Sequence, residues 1–246
     1  MIGKFEEMTN KVVTMNSMGN LQYYLGLQFE RDTDEMFYVH QKKYIDEKLR
    51  EFNLSDCKPS RIPLDTGYQK DQSSSKQMET KEVYRSAIGS LQYLAVNTRP
   101  DISVAVSILA RHVENPKVAD WTEVKRVFRY LKYTIDKKLR LGNTEATNDK
   151  RLIGYADADW GNDAQDRKSN TGFCFRYLGS TILWTSRKQA MVTLSSTEAE
   201  FIALAEASKE AVWLRRILED FNQTTIIEPT VLFEDNQSCI HLLKDE

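Results

Sequence analysis

Residues 152–160 read L-I-G-Y-A-D-A-D-W. An apolar run that ends in carboxylates constrains everything around it. It is expected to form a buried strand that carries Asp157 out of its end. A buried strand needs neighbours in a sheet and a helix over its face. The residues that follow supply both. Runs 172–177 and 180–185 are short and β-prone, and 195–221 has the length and composition of a long helix. Residues 231–234 form an apolar strand, and 236–244 begin another helix. Strand-strand-strand-helix-strand-helix is an α/β order.

The preceding half has a different grammar. Residues 21–30 and 36–40 flank the polar turn 31–35 and read as a hairpin. Residues 41–52 place Tyr44, Ile45, Leu49 and Phe52 at helical spacing. The stretch from 53 to about 80 holds Pro59, Pro63, Gly67 and three consecutive serines, and reads as a linker. Its Asp65-Thr66-Gly67 triplet stands alone between a proline and a polar tract, so it reads as loop rather than as half of an aspartic protease site. Three helices follow. The first, 82–98, aligns Val83, Ile88, Leu91, Leu94 and Ala95. The second, 101–113, aligns Ile102, Val106, Leu109 and Val113, with Asp101 as expected N-cap. The third, 121–133, aligns Val124, Val127, Phe128 and Leu131. Its other side carries Lys125, Arg126, Arg129 and Lys132, continued by Lys137, Lys138 and Arg140, and predicts one basic face. Residues 1–18 read as helix-like, and 141–150 as a second linker.

Three acids stand at element ends: Asp157, Glu198 at the mouth of the long helix, and Asp235 after the last strand. Clustered carboxylates on rigid elements are what a pair of hard divalent cations needs to cut a phosphodiester. Each acid also has a purely structural reading. Ser195-x-x-Glu198 and Thr197-x-x-Glu200 both fit a capping box. Asp235-Asn236 fits an N-cap, and Asp157 fits a strand-end carboxylate facing water. Arg167-Lys168 and Arg187-Lys188 sit on turns, where they either follow phosphate or are simply solvated.

Composition excludes several alternatives. Cys57, Cys174 and Cys239 are far apart with no C-x-x-C pair, which argues against zinc. His40, His112 and His241 lack partners for a catalytic constellation. There is no run of 18 apolar residues and no apolar leader after Met1, so a soluble, intracellular chain is expected. Thirty-four Lys and Arg against 36 Asp and Glu give a net charge of −2, which neither demands nor excludes nucleic acid.

Several co-linear motifs then coincide. G-Y-A-D-A-D-W, D-R-K-S-N-T-G, S-S-T-E-A-E and E-D-N-Q resemble, in order and spacing, the ribonuclease H domain of copia-type retrotransposon Pol polyproteins. Upstream, Y-L-G-L-Q-F-E-R-D, Q-K-K-Y-I, D-C-K-P, Y-R-S-A-I-G-S-L-Q-Y-L and T-R-P-D-I resemble the end of the reverse transcriptase of the same polyproteins. The resemblance covers almost the whole chain. It implies a mixed α/β and α+β architecture: a palm tail with a primer-grip-like hairpin in 1–66, a linker in 67–80, a helical thumb in 81–142, and a ribonuclease H-like mixed sheet with flanking helices, truncated, in 151–246. It implies that Asp157, Glu198 and Asp235 hold Mg2+ (or Mn2+) and cut the RNA of an RNA–DNA hybrid. It implies that Arg85, Gly89 and Tyr93 follow a template–primer duplex, and that the rest of the Pol polyprotein is a partner. A virus-like-particle setting in the cytoplasm, or the nucleus, goes with it.

Two departures are visible. The chain has no Asp-Asp pair, so the polymerase Y-x-D-D turn is missing and no DNA synthesis is expected. The family's fourth acid and closing strand and helix are not found before Glu246, so weak cleavage is the expectation. A non-catalytic nucleic-acid-binding protein derived from a retroelement, or a decayed reading frame, are the rival readings.

Overall fold

A computed structural model describes residues 10, 12–14, 19–32, 36–142, 151–163, 165–221 and 228–244. The helix expected in 1–18 and the linker 143–150 lie outside them.

The first unit begins with strands β1 (Tyr23–Tyr24), β2 (Leu27–Arg31) and β3 (Phe37–His40). The hairpin forms as its polar turn predicts, with Glu30 opposite Tyr38. Helix α1 (Lys42–Glu51) follows and buries Ile45 and Leu49. Next come α2 (Tyr68–Ser74), α3 (Lys81–Asn97), a 3-10 turn (Pro100–Ile102), α4 (Ser103–Ala110) and α5 (Val118–Tyr133). Strand β4 (Leu139–Leu141) then returns to pair antiparallel with β3, so the first sheet runs β1-β2-β3-β4. Nothing in the basic stretch around it announces this strand.

Stretch 67–80 is not a plain linker. Its helix α2 plants Tyr68 in the helical core, 3% exposed. The Tyr68 hydroxyl donates to Asp120 Oδ1 at 2.5 Å, and the other Asp120 oxygen accepts the Lys117 N–H at the start of α5. Burial, and then this carboxylate, push the Tyr68 phenol far above its usual range. Asp65 of the D-T-G triplet pairs with Arg126, and its own N–H donates to Glu123. The triplet is a fastened loop.

Helices α3, α4 and α5 share one core containing Tyr84, Ile88, Leu91, Leu94, Leu109, Val124, Val127, Phe128 and Leu131. Helical spacing predicts most of this set, but Val83 is 41% exposed and the neighbouring Tyr84 takes the core position, its hydroxyl donating to Leu109 O. Asp101 is not an N-cap. Arg99, 3% exposed, grips both its carboxylate oxygens at 2.8 Å and reaches Thr134 at the end of α5. Burial opposes ionisation of Asp101, but this guanidinium holds its carboxyl below the ordinary range.

The predicted basic face of α5 does different work. Arg129 donates to Lys58 O, Lys132 to Ser55 O and Cys57 O, and Arg126 to Glu123. Arg129 and Lys132 thus cap carbonyls of the proline-containing segment that crosses the helix and has no strand or helix of its own to satisfy them, while Arg126 pairs with carboxylates.

The second unit is a four-stranded sheet in the order β7-β6-β5-β8, built from β5 (Leu152–Asp159), β6 (Asn170–Tyr177), β7 (Ser180–Lys188) and β8 (Val231–Phe233). Strands β5, β6 and β7 are antiparallel, and β8 joins β5 in parallel. Helix α6 (Ser196–Asp220) crosses one face, and α7 (Gln237–Leu242) follows β8. The α6 face of the core holds Leu152, Ala156, Phe173, Phe175, Ala207, Ala211, Leu214 and Leu218. The other face meets the helical unit through Trp184, whose Nε1 donates to Ala95 O at 2.7 Å, and at the start of β7 Ser180 exchanges bonds with Gly142.

Gly154 lies between its two cross-strand partners, Phe175 on β6 and Leu232 on β8. A Cβ there would stand 2.4 Å from Leu232 Cδ2 and 2.6 Å from Phe175 Cε1. Overfilling so dense a core costs about 1–3 kcal/mol. Gly154→Ala is expected to lower unfolding free energy by that amount in urea titration, and a wild-type midpoint would refute this packing.

Candidate metal centre

Strands β5 and β8 are parallel neighbours, with Tyr155 opposite Phe233. Their next residues on the same face, two positions on, are Asp157 and Asp235. Both carboxylates therefore leave one sheet edge side by side. The third acid beside them is Glu200. Asp157, Glu200 and Asp235 each offer a carboxylate oxygen within 4.8 Å of the other two.

Glu198, the acid expected here from the sequence, lies outside this group. Its Oε2 accepts the Leu194 N–H at 2.7 Å while Ser195 Oγ accepts the Glu198 N–H at 3.1 Å. The Ser195 half of the capping box forms, while the Glu198 carboxylate holds the N–H one residue before the N-cap, and together they fix where α6 starts. Glu198 is exposed, whereas Glu200 is 6% exposed. The two differ because an α-helix turns about 100° per residue, so positions two apart face away from each other. A sequence signal for Glu200 exists. It heads the series Ala203, Ala207, Ala211, Leu214 and Leu218, spaced by three and four, which is the buried side of α6.

The structural alternative for Asp235 is filled by its neighbour. Asn236 Oδ1 accepts the Cys239 N–H at 2.9 Å and caps α7, leaving the Asp235 carboxylate exposed. Asp159 is also exposed and bonds Asn162.

The electrostatics of the group are unfavourable by themselves. Burial first, then the charges of Glu234, Asp157 and Asp235, raise the Glu200 carboxyl to about 7, against a small opposing contribution from the Ala158 N–H. Burial also raises Glu234. Glu200 Oε2 and Glu234 Oε2 are buried with no hydrogen-bond partner among the described residues. An unsatisfied buried carboxylate oxygen in a set of oxygen donors fits a hard divalent cation such as Mg2+, which supplies the missing charge and ligand.

The predicted nucleic-acid contacts divide. Arg85 is exposed and meets Glu114 at 3.3 Å, and Gly89 faces open space. Tyr93, by contrast, is engaged: its hydroxyl donates to Leu25 O and its ring packs on Tyr44. On the turns, Arg187 pairs with Glu206, and Lys188 pairs with Asp163 at 2.6 Å and Asp166 at 2.8 Å. Arg167 packs under Gly161 in a left-handed conformation, φ 59°. Lys188, Arg187 and Arg167 thus fasten the β5–β6 turn and the sheet.

A raised carboxyl pKa makes the folded state prefer the proton. Its contribution to stability is present below the ordinary glutamate range and is lost as pH rises toward 7. Without divalent cations, stability should fall by on the order of 2–3 kcal/mol between about pH 4.5 and 7.5. Denaturant titrations across that range check this, and Glu200→Gln should remove most of the slope. An unchanged slope in the variant would place the titrating group elsewhere.

No protein-family model and no solved structure matches the chain. Curated proteins do. The Retrovirus-related Pol polyprotein from transposon TNT 1-94 of Nicotiana tabacum is 38% identical over 255 residues, which covers 100% of this chain and 18% of that protein. An uncharacterized mitochondrial protein of Arabidopsis thaliana, AtMg00810, is 36% identical over 201 residues, 81% of each. The secreted RxLR effector protein 161 of Plasmopara viticola is 46% identical over 131 residues, 53% of this chain and 90% of that protein. The chain thus spans under a fifth of the polyprotein but most of two shorter relatives. Over its full length the chain is thus similar to one segment of a retrotransposon Pol polyprotein, and over about nine tenths of its length to the same kind of segment in two others at 35% identity.

Proposed function

We propose that the second unit is a ribonuclease H-type nuclease that hydrolyses the RNA strand of an RNA–DNA hybrid. The observation that carries this reading is the convergence of Asp157, Glu200 and Asp235 from three different elements. Glu200 replaces Glu198 in the ligand set. Strands β5 and β8 hold two carboxylates in fixed register, and α6 brings the third from across the sheet edge. Bound Mg2+ or Mn2+ would activate a water and stabilise the departing oxygen of the phosphodiester. The protein's own part is to keep these oxygens aimed at one point and to exclude competing donors, which the burial of Glu200 achieves.

In this reading the exposed face of α3 with Arg85 and Gly89 follows the duplex backbone. Gly89 leaves room for close approach and Arg85 supplies charge. Tyr93 instead locks α3 to the hairpin turn. Among the described residues no helix is long and apolar enough to cross a membrane, which is compatible with a nucleic-acid substrate.

Cleavage of a labelled RNA–DNA hybrid in Mg2+, stopped by EDTA, is the direct test. Asp157→Asn, Glu200→Gln and Asp235→Asn should each slow it by about 10²-fold or more. Glu198→Ala should cut normally and lose only about 0.5–1.5 kcal/mol of stability with its bond to the Leu194 N–H. Robust cleavage by Asp157→Asn, or the reverse ranking of Glu198 and Glu200, would overturn the assignment.

A further inference from the structure

The sheet face turned away from α6 carries alternate residues in register. Asp157 stands opposite Gly172, Asp159 opposite Asn170, and Cys174 opposite Trp184. The helical unit meets this face at two places. Trp184 donates to Ala95 O, and Arg111, at the end of α4, donates to Asp163 at 3.0 Å and to Asn170 at 2.8 Å. Between these fastenings the two units do not close. They leave a cleft of about 570 Å3, walled by Pro100, Val104 and Arg111 on one side and by Asp157, Asn170 and Trp184 on the other. One end of the cleft is the Asp157 carboxylate of the acid cluster.

We infer that this cleft receives one nucleoside of the strand whose phosphodiester lies at the acid cluster, an inference that rests on the nuclease reading above. The volume is in the range of pockets that enclose a small organic ligand. The wall chemistry is that of a base site: a half-buried indole and the apolar edges of Pro100 and Val104 for stacking, with carboxamides and hydroxyls for the base and ribose edges. Gly172 keeps the floor open beside Asp157, since a Cβ there meets nothing nearer than 3.9 Å. Arg111 Nε is buried with no hydrogen-bond partner among the described residues, which leaves a donor for an incoming acceptor. Asp157 and Asp159 face the cleft and repel a free anion. A base and sugar are neutral, so these acids select the nucleoside part of a strand rather than free phosphate.

Val104 is 54% exposed at the rim, so it can be changed without disturbing the core. Val104→Trp fills the cleft, and Val104→Glu adds a further negative charge. The measurements are anisotropy of a labelled RNA–DNA hybrid with Ca2+ in place of Mg2+, and cleavage with Mg2+. Both variants should raise the hybrid Kd at least tenfold, with melting temperature and its Mg2+-induced rise unchanged. Val212→Glu, 51% exposed on α6 and outside the cleft, should bind as wild type. If Val104→Trp fails to fold, Val104→Glu carries the test. Wild-type cleavage with both Val104 variants binding normally would overturn the cleft alone. Failure of the wild-type chain to bind or cut the hybrid would overturn the nuclease reading, and the cleft with it.

Discussion

The close approach of α6 to β5 is the contact on which the site depends. Ala199, Ala203, Ala207 and Ala211 are all buried against the sheet. Their small side chains let the helix axis come near, and Phe175 and Leu232 close over Gly154 in the layer beneath. A helix held farther off by larger residues would leave Glu200 short of Asp157. Packing at the far end of α6 by Leu214 and Leu218 thus sets a carboxylate distance four turns away. Dense interiors transmit geometry in this way because they have little room to yield.

That geometry has an electrostatic cost. Three carboxylates share a small volume, one of them almost wholly buried, and neighbouring Glu234 adds a fourth charge. The fold supplies few donors to relieve them. Elsewhere it is careful to do so: Asp101 is matched by Arg99, Asp120 by Tyr68 and the Lys117 N–H, Asp163 by Arg111 and Lys188. Burial opposes ionisation of Asp163, yet these cations hold its carboxyl well below the usual range. The acids of the scaffold are thus matched by donors, whereas Glu200 and Glu234 at the sheet edge each keep one buried oxygen unmatched among the described residues.

One of these pairs, Asp163 with Arg111, also joins the two units. Arg111 and Trp184 reach across from opposite sides, and β4 ends where Gly142 meets Ser180. Direct hydrogen bonds therefore tie the helical unit to the unit that carries the acid cluster. Arg126, Arg129 and Lys132, read as one basic face, and Lys188, read as a phosphate contact, are instead consumed in bonds within their own units.

Periodicity and punctuation in the sequence determined the hairpin, the three core helices, the acid-tipped strand and the long helix, because each is specified by residues close in the chain. They also placed Asp157 and Asp235 at strand ends. Tertiary structure alone decided what those ends meet. It paired β8 with β5, drew β4 back to the first sheet and buried Tyr68 from a segment that reads as a linker. It brought Glu200 rather than Glu198 beside Asp157 and Asp235, since a helix-start carboxylate and a clustered one are identical as letters. They are separated only by which side of α6 faces the sheet, and that is fixed by the packing of alanines up to eleven residues away.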